Sequence, residues 1–316
     1  MSTETKAYDG KHVTNALAGL SLQTTLLMGL PMEFKQKSTL NEHLAINRET
    51  IPSEDARPVM KYLCLGNGGH VVSAEDNLAT PIPIEHQPSD AAPYNIIPLV
   101  MRPVDKDLGD ELRENYALRK QVEYSGRRYW AYYLKRLDWR GIRVKEYYTK
   151  VRDGIKTVSD FEYSDKNLFP TAPDMPDYNY EVTDQVTPND GDYVHSSAST
   201  RIELDTFDVQ ELLNVAQIIY GDPRKAVVSE FCLTSGVDTI ATGESAVGSP
   251  FQYMECMGTQ ISIFLTTFTN MAYQNKGVAY TLDVGNTEPM VLAPGQIPSQ
   301  TGVSADAVPA VGNTLV

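Results

Sequence analysis

One stretch constrains the fold more than any other. Val209, Leu212, Leu213, Ala216, Ile219 and Tyr220 fall at i, i+3, i+4, i+7, i+10 and i+11, one face of a helix with a 3.6-residue period. Asp205 stands where an N-cap is needed, and Asp208 adds negative charge to the first turn, which the helix dipole favours. Gly221 sits at the C-terminal stop and Pro223 blocks continuation. Period, start and stop agree on a helix over 206–220.

Most of the remaining apolar runs have the composition of strands. Val59-Met-Lys-Tyr-Leu-Cys-Leu ends at Gly66-Asn67-Gly68-Gly69, which reads as a tight reversal using positive φ values. Pro81-Ile-Pro-Ile is extended, and the prolines of Ile96-Ile-Pro-Leu-Val-Met-Arg-Pro suit an edge strand. Gln121-Val-Glu-Tyr and the aromatic run Arg128–Leu137 flank Ser125-Gly126 as the arms of a hairpin. A strand over 143–151 runs to another turn signal, Asp153-Gly154. Lys225–Gly236 and 257–273 supply two more: Lys225-Ala-Val-Val-Ser-Glu-Phe-Cys-Leu in the first, Ile261-Ser-Ile-Phe-Leu-Thr-Thr-Phe-Thr in the second. The fold class is therefore α+β and strand-dominated: an antiparallel sheet or sandwich with one well-formed helix and long extended arms.

Three segments are expected. Residues 1–55 form an N-terminal arm or edge layer, with short helices near Asn15 and at 38–44, where Thr39 and Glu42 have capping-box spacing. Residues 56–275 form the core, interrupted by a long Pro/Asp-rich loop at 160–200. Residues 276–316 supply a C-terminal strand and an extended tail, in which Asp306 is the only charge from 291 onward.

Charge and cysteine content exclude several roles. A net charge of −14 repels phosphate backbones and anionic headgroups, so neither a sequence-specific nucleic-acid partner nor a membrane partner is expected. The apolar patch 17–30 is interrupted by Ser21, Gln23, Thr24 and Thr25 and is too short to span a bilayer. Cys64, Cys232 and Cys256 lack metal or disulfide spacing and read as buried free thiols, compatible with a reducing bacterial cytoplasm.

A search for chemistry finds no cofactor motif and no catalytic constellation. Gly243-Glu-Ser245-Ala-Val-Gly248 departs from the nucleophile-elbow spacing by one residue and reads as a turn, although a hydrolase using Ser245 is the enzymatic rival. The five histidines, among them His70 after the glycine run, show no metal-ligand spacing. Asn189-Asp190-Gly191-Asp192 offers oxygens to a cation but lacks the full loop that calcium needs. Asp105, Asp107, Asp110 and Glu111 read as a decorated loop or helix start.

The conspicuous feature is arginine interleaved with aromatics. Arg127, Arg128, Tyr129, Trp130, Tyr132, Tyr133, Arg136, Trp139 and Arg140, with Phe169, Tyr178 and Tyr180 in the later loop, have the composition of a protein interface. The block 157–222 that follows is acidic, so copies or neighbours can complement one another electrostatically.

Four stretches together carry a resemblance: Tyr62–His70, Asp90–Leu108, Asn115–Arg119 continuing to Trp130–Asp138, and Glu211–Asp238. This set resembles a family of virion structural proteins of contractile-tailed bacteriophages, over residues 60–240. The resemblance brings no catalytic residues. It implies a non-enzymatic virion component, made in the host bacterial cytoplasm, whose partners are other virion proteins and copies of itself in a symmetric oligomer or ring. A tail or baseplate position is expected first, a neck or collar connector second, and a receptor- or glycan-binding phage protein is the rival class.

Overall fold

The computed structural model describes residues 11–30, 39–46, 57–73, 80–152, 155–170, 191–244, 250–274 and 276–290. In chain order the elements begin with β1 (His12–Asn15), α1 (Leu17–Met28), α2 (Leu40–His43), β2 (Val59–Gly66), β3 (His70–Ser73), β4 (Thr80–Pro83), β5 (Ile96–Ile97) and β6 (Val100–Pro103). Then come α3 (Asp110–Arg113), β7 (Tyr116–Tyr124), β8 (Arg127–Arg136), β9 (Lys145–Arg152), β10 (Ile155–Asp160), α4 (Asp165–Leu168) and β11 (Gly191–Leu204). The last are α5 (Thr206–Tyr220), β12 (Val227–Glu244), β13 (Pro250–Asn270) and β14 (Val278–Pro289). The protein is α+β and dominated by antiparallel strands.

The chain divides into two compact units, residues 1–138 with 203–279 and residues 139–202 with 280–316. These boundaries differ from the three segments expected above, because 139–202 leaves the core block and groups with the C-terminal strand. The first unit contains an eight-stranded sheet ordered β1-β13-β12-β2-β8-β6, with β5 paired to β2 and β7 to β8, and a two-stranded β3-β4 ribbon. The second contains a four-stranded sheet ordered β10-β9-β11-β14.

In the first unit, α5 forms as its sequence requires. Asp205 and Asp208 cap each other reciprocally, and Gly221 closes the helix at φ 70°. Its buried face is Val209, Leu212, Val215 and Ala216, packed near Met101 and Ala131. Asp208 and Glu211 are buried on the same side, which turns the helix so that Leu213 is only half-buried. Lys135 on β8 and Arg102 on β6 meet these two carboxylates. Burial pushes both carboxyls above their ordinary values despite those cations.

The β7–β8 hairpin also follows its turn chemistry. Ser125 and Gly126 both have positive φ (50° and 72°), the geometry of a primed two-residue turn, and Tyr124 pairs with Arg127. Further along β8, Leu134 takes φ 58°, while the register to β7 stays the same on either side of it, Leu118 opposite Tyr133 and Tyr116 opposite Lys135. The end of β8 also pairs with β2, Lys135 opposite Leu63 and Arg136 opposite Tyr62.

Several expectations are corrected. The N-terminal helix is longer than the stretch near Asn15 and follows a strand, β1, that has no strong sequence signal. The helix seats closely because a Cβ at Gly19 would lie 2.4 Å from the Ser262 carbonyl oxygen. Thr39 is the N-cap of α2 but makes no side-chain capping hydrogen bond, so the Thr39/Glu42 box does not form. The loop expected over 160–200 contains α4 and most of β11. The Ser/Thr-rich run Ser196–Thr200 hides a strand that backbone pairing to β9 stabilises. Residues 171–190 lie outside the described residues.

The α5 cap gives a direct test. Asp205→Ala should cost about 1 kcal/mol, lowering the melting temperature by roughly 2–4 °C for a domain of this size. Thermal unfolding followed by circular dichroism reads this out.

Candidate functional site

The arginine–aromatic run does not form one surface. β8 is covered on both sides, so alternation sends its side chains into two packed layers rather than one packed and one open. Tyr132 is fully buried and its hydroxyl donates to Asp107. Tyr133 packs against the core, and burial pushes its hydroxyl up to about 12. Tyr129 packs beside Met101 and Ala131. Trp130 stacks under the Arg119 guanidinium, 3.7 Å from its ring centre. Arg136 donates to Asp238 at 2.7 Å and to the Met254 carbonyl at 2.9 Å. Arg127 and Arg128, at the hairpin turn, remain exposed. In the second unit, Trp139 is half-buried, whereas Arg140 and Phe169 are exposed. Tyr178 and Tyr180 lie outside the described residues.

A polar cluster that the sequence did not reveal sits in the first unit. Glu230 on β12 is 1% exposed and stands opposite Gly66 on β2. Its Oε2 accepts from the Gly68 N–H at 2.8 Å, and its Oε1 from the Tyr94 N–H at 2.7 Å. His86 Nε2 lies 2.9 Å from Oε1, and His86 Nδ1 lies 2.8 Å from Asp90 Oδ2. The imidazole is sandwiched between Phe264 (centroids 3.9 Å apart) and Tyr94 (4.3 Å). Both ring nitrogens lie within hydrogen-bond distance of carboxylate oxygens.

This cluster explains the glycines. None of Gly66, Gly68 and Gly69 has positive φ, so the positive φ values expected of this run are corrected. They provide space instead: a Cβ at Gly66 would lie 2.4 Å from Glu230 Oε2, and one at Gly69 would lie 2.6 Å from Glu230 Cγ. The Gly69 N–H also donates to Ser229 Oγ at 2.9 Å.

A carboxylate–histidine–carboxylate line resembles a proton relay, but its geometry is closed. Aromatic rings cover both faces of the imidazole, and the side chains of His86 and Glu230 are 0% and 1% exposed. No substrate atom reaches either group. The cluster fastens segments 66–69 and 84–95 to the sheet.

A second polar cluster surrounds Asp238. It accepts from Lys61 (2.8 Å), Arg136 (2.7 Å) and the Tyr62 hydroxyl. Burial pushes its carboxyl up, but the hydrogen bonds from Arg136, Lys61 and Tyr62 outweigh this and hold it below the ordinary aspartate value.

The other sequence candidates disperse. Ser245 lies outside the described residues. His70 packs edge-on against Phe268, and burial lowers its basicity. Of the possible cation loop, Asp192 is held by Tyr148 and Arg152. Among the described residues no group of three or more His, Cys, Asp or Glu is placed to hold a metal ion. The three cysteines are free and buried, Cys64 directly opposite Cys232, and burial pushes the Cys64 thiol up to about 12. No helix among the described residues is long and apolar enough to cross a membrane.

What the described residues do expose is sheet edge and apolar surface. All six residues of β10 are exposed, and β10 pairs only with β9. Tyr163, Leu168 and Phe169, which follow it, are each more than two-thirds exposed.

Fold and sites together describe a strand-dominated α+β protein with a buried Glu230–His86 pair, a partly buried Asp238 cluster and, among the described residues, an open sheet edge. The chain belongs to a family of unknown function, DUF7208, whose family model matches residues 2–297. No curated protein and no solved structure matches it.

Both clusters can be tested by substitution. His86→Ala leaves buried Glu230 without one of its hydrogen-bond partners and should cost about 1–3 kcal/mol. Asp90→Ala removes a partly exposed partner and should cost about 1 kcal/mol. Hydrogen exchange should show faster opening of 66–69 and 84–95 in His86→Ala. For Asp238, a depressed folded value means that its stabilisation is complete above the unfolded value of about 3.9 and is lost as pH falls through the folded one. Denaturant unfolding across pH should show wild type more stable than Asp238→Asn near neutrality, with the gap closing in acid.

Proposed function

We propose that this chain is a non-enzymatic structural component of a tailed-bacteriophage virion, assembling through protein–protein contacts in the tail or baseplate. The observation that carries this reading is the open β10 edge with Ile155 and Val158 exposed on it. Unprotected strand edges template pairing with another chain, and chains that live as monomers blunt them. The exposed Tyr163, Leu168 and Phe169 beside it in sequence add apolar surface suited to a partner.

The sealed Glu230–His86–Asp90 cluster supports the same reading, because the most enzyme-like arrangement among the described residues has no access for a substrate. The resemblance over residues 60–240 supplies the phage setting. It also leaves a neck or collar position as the alternative within the particle. The partners are other virion proteins and copies of this chain, and the site of synthesis is the host bacterial cytoplasm.

Truncation tests the role. A chain ending at residue 290 should keep wild-type circular dichroism and melting behaviour yet be absent from purified particles. Incorporation at the wild-type level would contradict a part for residues 291–316 in assembly. Absence of the full-length chain from particles would overturn the virion reading itself.

A further inference from the structure

The open edge of β10 has a specific pattern. Pairing runs Ile155 to Arg152 through Asp160 to Tyr147, and the Phe161 N–H donates to the Glu146 carbonyl at 2.9 Å. In an antiparallel ladder, hydrogen-bonded and non-hydrogen-bonded pairs alternate. Residues 155, 157, 159 and 161 therefore direct their backbone groups toward β9. Lys156, Val158 and Asp160 direct theirs outward, where no described strand lies.

We propose that β10 is a self-pairing edge: two copies join antiparallel about a two-fold axis through Val158. In this register Lys156 stands opposite the partner's Asp160, Val158 opposite the partner's Val158, and Asp160 opposite the partner's Lys156. All three pairs use outward-facing backbone groups, so each exchanges both N–H···O bonds. The intervening pairs set Thr157 against the partner's Ser159 and Ile155 against the partner's Phe161. Two four-stranded sheets become one continuous sheet.

Self-complementarity favours a second copy over another polypeptide. An isologous contact requires a patch that matches itself under a half-turn. Ile155-Lys-Thr-Val-Ser-Asp-Phe161 does so in charge, hydroxyl and apolar character alike. Moving the axis to Thr157 keeps the antiparallel pairing but sets Lys156 against the partner's Val158 and removes the charge match. A net charge of −14 opposes association of copies over most of the surface, whereas this edge places opposite charges face to face. The inference deepens the assembly reading and rests on it for its biological setting.

Sedimentation of the full chain tests it. Wild type should run as a dimer at micromolar concentration. Lys156→Asp and Asp160→Lys should each halve the sedimenting mass, and the double swap should restore it, since the pairs are again of opposite sign. Val158→Pro should also halve the mass while leaving circular dichroism unchanged, because the outward N–H serves no bond within the fold. A monomeric wild type, single reversals that stay dimeric, or a double swap that stays monomeric would overturn the proposal. A dimer with this pattern in a chain missing from particles would overturn the virion role alone.

Discussion

A carboxylate buried in the main sheet organises the first unit. Glu230 is 1% exposed on β12, beside the apolar run Phe231–Leu233, and burying an ionised group without partners carries a large free-energy cost. The fold meets that cost with two backbone N–H groups and one histidine, and these partners fix the short link after β2 and the longer segment 84–95. The glycines at 66–69 leave room for the carboxylate, Tyr94 and Phe264 clamp the imidazole, and Asp90 occupies its far nitrogen. Glu230 and His86 are both buried, so removing either takes a hydrogen-bond partner from the other, whereas Asp90 is partly exposed.

The same logic repeats at smaller scale around the sheet. Asp238 ties β12 to β2 and β8 through Lys61, Tyr62 and Arg136. Asp208 and Glu211 tie α5 to β8 and β6. Asp107 receives Tyr132 and lies 3.4 Å from Arg113 and Arg119, which stack on Phe251 and Trp130. The arginines and tyrosines that look like a binding surface in the sequence are largely consumed in these internal contacts. What is left for partners is an open strand edge in the second unit and the apolar side chains that follow it, among them the sequence candidate Phe169.

Features legible in the sequence are those set by neighbouring residues. The α5 helix was readable because its cap, period and stop are local, and the β7–β8 turn because Ser125-Gly126 encodes it within two positions. The Glu230 cluster was not readable, since Glu230 and His86 are 144 residues apart and neither stands in a motif. A lone glutamate in the run Val227–Leu233 signals that some partner must exist, but not which. The glycine run was assigned the wrong cause, because space for a distant side chain and freedom of φ ask for the same residue. β11 was missed because serine and threonine carry a weak apolar alternation, and pairing to β9 supplies what local preference does not. The exposed pattern on β10 was present in the sequence but had no meaning until its backbone parity was known.

The central claim is that this protein works by gripping other polypeptides, its own copies included. An electron-microscopy map of the purified particle tests it most directly. The account predicts density for this chain in the tail, baseplate or neck, with β10 continued by a strand from a second copy. Density showing the chain isolated from its copies, with β10 facing solvent, would contradict it.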